Sequence, residues 1–135
     1  MRGTEPVIDP SAKIGKDVSI GPWTIIGPEV VVGDGCTIAS HVVIKSNTRL
    51  GKNNHIFQFS SVGEDPSDKK YQGENSLLEI GDDNIIREGA TIHRGTKIGG
   101  GVTRIGSDNL FMPFTHVAHD CIVGNHTIFS NNAAI

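Results

Sequence analysis

From Ile8 to Val62 an aliphatic residue falls on every sixth position, through Ile14, Ile20, Ile26, Val32, Ile38, Ile44, Leu50 and Ile56. The beat returns at Ile80, Ile86, Ile92 and Ile98, slips by one residue, and runs through Ile105, Phe111, Val117, Val123 and Phe129 to Ile135. Two positions before most beats stands a slimmer side chain, such as Ala12, Thr24, Val30, Cys36, Val42, Thr48 or Ser60. Residues two apart on a strand share one face, so Thr24 and Ile26 point one way and Ile25 the other. Gly, Asn and Asp follow many beats, and these residues tolerate turn dihedrals. Six residues thus make one short strand and one corner. Three such units close a triangular coil. Stacked coils form an all-β parallel β-helix, for which hexapeptide repeats are a signature. The spacing leaves the hand of the coil open.

At eighteen residues per coil, 135 residues make about seven coils, roughly 33 Å tall at ~4.8 Å per coil. Residues 1–7 precede the beat and are expected to be a tail or the first edge. Residues 8–135 are expected to form a single β-helix domain. Trp23 falls at a corner, where it is expected to pack between subunits. Cys36 and Cys121 each stand two residues before a beat, so both are expected to be buried thiols acting as small hydrophobes.

Two irregularities interrupt the period. Carrying the beat through 63–79 would place Asp68 and Glu74 inside the prism, where unpaired charge is very costly. The segment is therefore expected to leave the prism as an external loop, and a charged loop tethered to a rigid wall suits a substrate clamp. At Gly99-Gly100-Gly101 the beat slips by one, which suits a bulge or a tight excursion, a corner repair rather than a ligand cradle. No helix follows these glycines, so a phosphate-cradling role lacks its context. The chain ends on a beat, at Ile135. Solenoids protect their terminal coils, so the sequence is expected to be a piece of a longer protein.

Charge narrows the function classes. The net charge of −3 argues against a nucleic-acid groove. No Lys/Arg run is present to hold a membrane surface, and no apolar stretch approaches a transmembrane span. Met1 to Pro6 contains no apolar secretion signal. A cytoplasmic location is the simplest inference.

Histidine is the candidate chemistry. Of the six, His93 lies in Ile92-His93-Arg94-Gly95-Thr96, and His116 and His119 lie in His116-Val117-Ala118-His119-Asp120-Cys121. With Val117 pointing inward, His116 points outward and His119 falls at the next corner. A corner imidazole is accessible and titrates in the working range of a general base. Asp120 is adjacent and could orient or charge-stabilise it. His41, His55 and His126 read as ordinary surface residues.

Further motifs are Gln58-Phe59-Ser60-Ser61-Val62-Gly63-Glu64, Asp68-Lys69-Lys70-Tyr71-Gln72-Gly73-Glu74, Ile80-Gly81-Asp82 and Ile86-Arg87-Glu88. Asn109-Leu110-Phe111-Met112, Val123-Gly124-Asn125 and Asn131-Asn132 complete the set. With the two His motifs, these resemble the cytoplasmic UDP-N-acetylglucosamine O-acyltransferases that begin lipid A synthesis in Gram-negative bacteria. Hexapeptide repeats are shared by many acyltransferases; the loop motif and the two His motifs are far more specific. The resemblance covers essentially the whole chain but about the first half of a family member. It implies a left-handed β-helix homotrimer with active sites between subunits. It also implies transfer of an (R)-3-hydroxyacyl group from acyl carrier protein to the 3-hydroxyl of UDP-N-acetylglucosamine. On the same basis His119 matches the general base, Asp120 its dyad partner, Asp68 and Lys70 the substrate-holding loop, and His93 and His116 polar residues lining the cleft. Neither a cofactor nor a metal is implied.

The sequence departs from the family pattern at Lys69, at Asn75 and at Pro113-Phe114, which add bulk before His116. Family residues for nucleotide binding, the oxyanion donor and acyl-length measurement would lie beyond Ile135, as would the C-terminal helices. The 135-residue chain alone is therefore expected to be impaired or inactive. Two rivals follow from the same residues. One is a non-catalytic paralogue that trimerises or binds nucleotide sugar. The other is a trimeric β-helix zinc hydratase with His93, His116 and His119 as ligands.

Overall fold

The structure, a computed structural model, describes residues 3–66 and 76–135. Among the described residues, eighteen short strands, β1 (Val7–Ile8) through β18 (Ile128–Phe129), deal themselves in turn to three parallel sheets of six strands each. Inside each sheet a strand pairs with those three places before and after it in the chain, so Ile26 lies over Ile8 and under Ile44. The beat residues fill the prism: Ile26, Ile38, Ile44, Ile56, Ile86, Ile92, Phe111 and Val117 are fully buried. Phe111 and Phe129 continue one aliphatic column as stacked rings 4.9 Å apart.

At the corners the chain bends through left-handed backbone. Thirteen of the described non-glycine residues have positive φ, among them Asp17, Glu29, Asn47, Asn53, Asp83, Asp108 and Asp120. Asn and Asp enter this region at least cost. One corner instead carries rings in the same conformation: Trp23 (φ 66), His41 (φ 56), Phe59 (φ 65) and Phe114 (φ 63). Trp23 stacks on His41 at 6.1 Å, and His41 meets Phe59 at 5.4 Å. Trp23 is half exposed in the single chain.

Two excursions shorten the prism below the expected seven coils. Strand β10 (Ser61–Glu64) belongs to the first sheet and β11 (Leu77–Ile80) to the second. Eighteen residues separate Val62 from Ile80 where an ordinary corner takes six, yet β10 and β11 lie on successive sheets. The flanking strands also absorb both ends of the loop expected over 63–79. At the second excursion, β13 (Thr91–His93) and β14 (Val102–Ile105) likewise occupy successive sheets. Thirteen residues separate Ile92 from Ile105, so seven are extra. Ile98 is therefore not a prism residue: it is 80% exposed. An insertion of six plus one left Ile98 on the beat by coincidence and disguised the loop as a one-residue slip. Eighteen strands make six coils, and a bridge from His116 to Ala134 opens a seventh.

Cys36 is buried as expected, but Cys121 is only partly so. It precedes β17 (Ile122–Val123), the outermost strand of its sheet, which has a neighbour on one side only.

Polar residues inside the prism carry a ladder of their own. Asn54, Asn84 and Asn109 stack at one inner corner and are buried. Each amide oxygen accepts the backbone N–H of the next rung: Asn54 from Asn84, Asn84 from Asn109, and Asn109 from Thr127, all at 2.9 Å. Each Nδ2 donates to a corner carbonyl, of Gly81, Gly106 and Gly124 in turn. Buried amides are tolerated because every polar group is matched. Replacing Asn84 by Ala removes its bonds to Asn54, Gly106 and Asn109 and leaves buried partners unmatched. The expected loss is about 3 kcal/mol, read as a lower urea midpoint. An Ala at exposed Lys52 should change stability by no more than about 0.5 kcal/mol.

Candidate active site

Three of the predicted histidines converge where the first sheet turns into the second, at the C-terminal end of the prism. His93 ends β13, and His116 opens β16 (His116–Val117) directly above Thr91, diagonally from His93. Their rings meet edge to face at 4.8 Å. The Thr91 hydroxyl lies 2.7 Å from His116 Nδ1. His119 stands at the corner after β16, partly exposed, with Nδ1 2.8 Å from Asp120 Oδ2. A carboxylate can only accept, so Nδ1 carries the proton and Nε2 keeps its lone pair. The expected adjacency of His119 and Asp120 is thus a hydrogen bond. Asp68 and Lys70 lie outside the described residues.

The second excursion supports this dyad. The Thr96 backbone N–H and hydroxyl each lie 2.6 Å from Asp120, on Oδ1 and Oδ2 respectively. The Asp120 N–H donates to Thr103 Oγ1 at 2.8 Å. Burial pushes the Asp120 carboxyl up, but hydrogen bonds from the Thr96 hydroxyl, His119 and the Thr96 N–H outweigh it and hold the group below the usual carboxylate range. His93 moves the other way from a charged state. It is 9% exposed, and burial, then the neighbouring His116, lowers its pKa against the opposing pull of Glu64. The site therefore pairs a neutral imidazole with an anchored anion.

Arg94, next in the chain, is buried and ties together three coils. Its Nη1 donates to the Gly63 carbonyl at 2.8 Å and reaches Ser46 O at 3.3 Å, while Nη2 pairs with Asp65. Its backbone N–H donates to Glu64 O at 3.0 Å. This guanidinium holds the root of the first excursion against the wall. A groove of about 660 Å³ runs along the same edge, lined by Ile25, Lys45, Ser46, Glu64, Asp65 and Arg94 among others. Among the described residues of one chain, no three His, Cys, Asp or Glu side chains gather as a metal site.

Among families of known proteins, the one described as bacterial transferase hexapeptide (six repeats) matches residues 11–46 and 103–135. These segments make up just over half of the chain. The chain belongs to the bacterial hexapeptide transferases. One curated relative is the acyl-[acyl-carrier-protein]–UDP-N-acetylglucosamine O-acyltransferase of Saccharophagus degradans, 58% identical over 128 residues, covering 95% of this chain and 50% of the relative. Among solved structures, LpxA from Acinetobacter baumannii is 56% identical with a TM-score of 0.96, covering 97% of this chain and 51% of that one. LpxA from Bacteroides fragilis, a UDP-N-acetylglucosamine acyltransferase, is 42% identical with a TM-score of 0.95 over 100% of this chain and 52% of that one. This hexapeptide transferase chain thus spans about half the length of the relatives it matches. A coil of opposite hand could not superpose so closely, and the fold is a left-handed parallel β-helix.

Counting sixes along the hexapeptide chain could not find Thr96, Thr103 or Arg94 as parts of the site. Thr96 lies within a recognised motif, yet its partner is 24 positions away across a broken period.

The depressed His93 pKa has a consequence for stability. The unfolded chain takes up this proton near the ordinary value of 6.5, whereas the folded chain resists it until lower pH. Stability is therefore fully present above that value and is lost as pH falls through the folded pKa. We expect a His93→Gln variant to lose less stability than the parent between about pH 7.5 and about pH 5.5, measured by urea titration at each pH.

Proposed function

We propose that this chain carries the general-base half of an acyltransferase acting on UDP-N-acetylglucosamine. The reaction moves an (R)-3-hydroxyacyl group from acyl carrier protein to the sugar 3-hydroxyl, the first step of lipid A biosynthesis. The observation that carries the reading is the hydrogen-bonded His119–Asp120 pair, set in a chain 58% identical to a protein of that name. A sugar hydroxyl is a poor nucleophile until a positioned base takes its proton. His119 Nε2 removes that proton as the oxygen attacks the thioester carbonyl. Asp120 stabilises the imidazolium that results. The tetrahedral intermediate then collapses, the carbon–sulfur bond breaks, and the imidazolium returns its proton to the departing thiolate. Neutral His93 and its neighbour His116 offer polar groups to the bound substrate without adding buried charge. Asp68 and Lys70 are assigned to holding the substrate from the first excursion.

In this reading the protein works as a cytoplasmic homotrimer, with each site completed between subunits and no cofactor beyond the carrier-bound acyl group. No helix among the described residues is long and apolar enough to cross a membrane. Acyl transfer by the full-length protein should fall by about 10²–10⁴-fold in His119→Ala, the usual worth of a positioned base. Unchanged turnover in that variant, or no transfer by the parent, overturns the reading. Binding of UDP-N-acetylglucosamine by an inert parent would favour the non-catalytic alternative instead.

A further inference from the structure

We propose that Thr96 is a positioning residue, a third link that clamps Asp120 so that Asp120 in turn fixes the tautomer of His119. The inference rests on the reading of His119 as a base, and deepens it. Three observations carry it. Both oxygens of Asp120 are held by the same residue, Oδ1 by the Thr96 N–H and Oδ2 by its hydroxyl, each at 2.6 Å. The direction of the hydroxyl is set by a further bond, since Gly99 N–H donates to Thr96 Oγ1 at 3.0 Å. With that lone pair engaged, the hydroxyl proton is left for the carboxylate, which has no proton of its own to offer. Thr96 is itself buried, at 4% exposure, so water does not compete for the bond.

The excursion is shaped around this clamp. A Cβ at Gly99 would run into the Asp120 carboxylate, so only glycine lets the loop close over it. Asp120 sits in left-handed backbone with φ 64, and its own N–H is tied to Thr103. Backbone and side chain of Asp120 are thus both fixed. The one remaining acceptor direction on Oδ2 serves His119 Nδ1. His119 is the titratable neighbour acting on Asp120, and His93 in turn feels His116, His119, Glu64 and Asp65. The seven extra residues of the second excursion therefore do more than repair a corner. They deliver the hydroxyl that locks the dyad.

The test compares the full-length parent with Thr96→Val, Thr96→Ser and Gly99→Ala. Thr96→Val keeps the shape and the backbone bond but removes the hydroxyl donor. By carboxyl ¹³C NMR, its Asp120 midpoint should move up toward the ordinary carboxylate value. By ¹⁵N NMR of labelled histidine, His119 should change from the Nδ1–H form to a mixture of tautomers. Thr96→Ser should restore both signals, and Gly99→Ala should disturb both by displacing the carboxylate. In acyl transfer, Thr96→Val should lower kcat by about tenfold with KM little changed, a hydrogen bond to a charged group being worth about that factor. Parent-like Asp120 and His119 signals in Thr96→Val overturn the inference, as does a Thr96→Ser variant as disturbed as Thr96→Val. The NMR readings need no substrate, so they decide the clamp independently of whether the acyl-transfer reading survives.

Discussion

Each strand of the prism hands its backbone N–H groups to carbonyls of the next coil, as Lys13 does to Val30, Gly15 to Val32 and Ser19 to Cys36, at 2.8–3.0 Å. These ladders fix every coil in register with its neighbour. A side chain at a given point of the triangle then lies directly over the equivalent side chain one coil below. The stacked aliphatic columns, the Asn54–Asn84–Asn109 ladder and the ring column from Trp23 to Phe59 are all consequences of this one constraint. Stability in such a solenoid is a sum of neighbour interfaces, and a matched amide ladder lets polar residues share the core without cost.

The same register decides where departures from the period are tolerated. Extra residues cannot enter a strand without shifting the side chains beyond them to the wrong face. Both excursions therefore leave from the same edge, between the first and second sheets, and return in register at Ile80 and Ile105. That edge gathers what the regular coils cannot supply: buried Arg94 bracing the first excursion, Thr96 reaching Asp120 from the second, and His93 edge to face with His116.

Electrostatics then differentiates the gathered groups. Burial keeps His93 uncharged, while donors from Thr96 and His119 keep Asp120 ionised despite the desolvation it suffers. A neutral imidazole, an anchored carboxylate and a more exposed imidazole within one edge form an arrangement suited to moving a proton at neutral pH. Rigidity suits such an arrangement, since a side chain held by a fixed partner loses little freedom when a ligand arrives.

The sequence by itself determined the architecture, because a period of six is a local property: each strand and corner announces itself without reference to the rest of the chain. His119 and Asp120 were legible for the same reason, being adjacent residues at a corner whose outward and inward positions the beat assigns. What lay beyond reach was whatever depends on where the chain returns after leaving the period. Ile98 kept time inside a loop, Cys121 is only partly covered at the edge of its sheet, and the Asn ladder went unread. Only the tertiary structure brings Thr96 and Gly99 onto Asp120. Hydrogen bonds across an irregular loop obey geometry in space, and no count along the chain contains it.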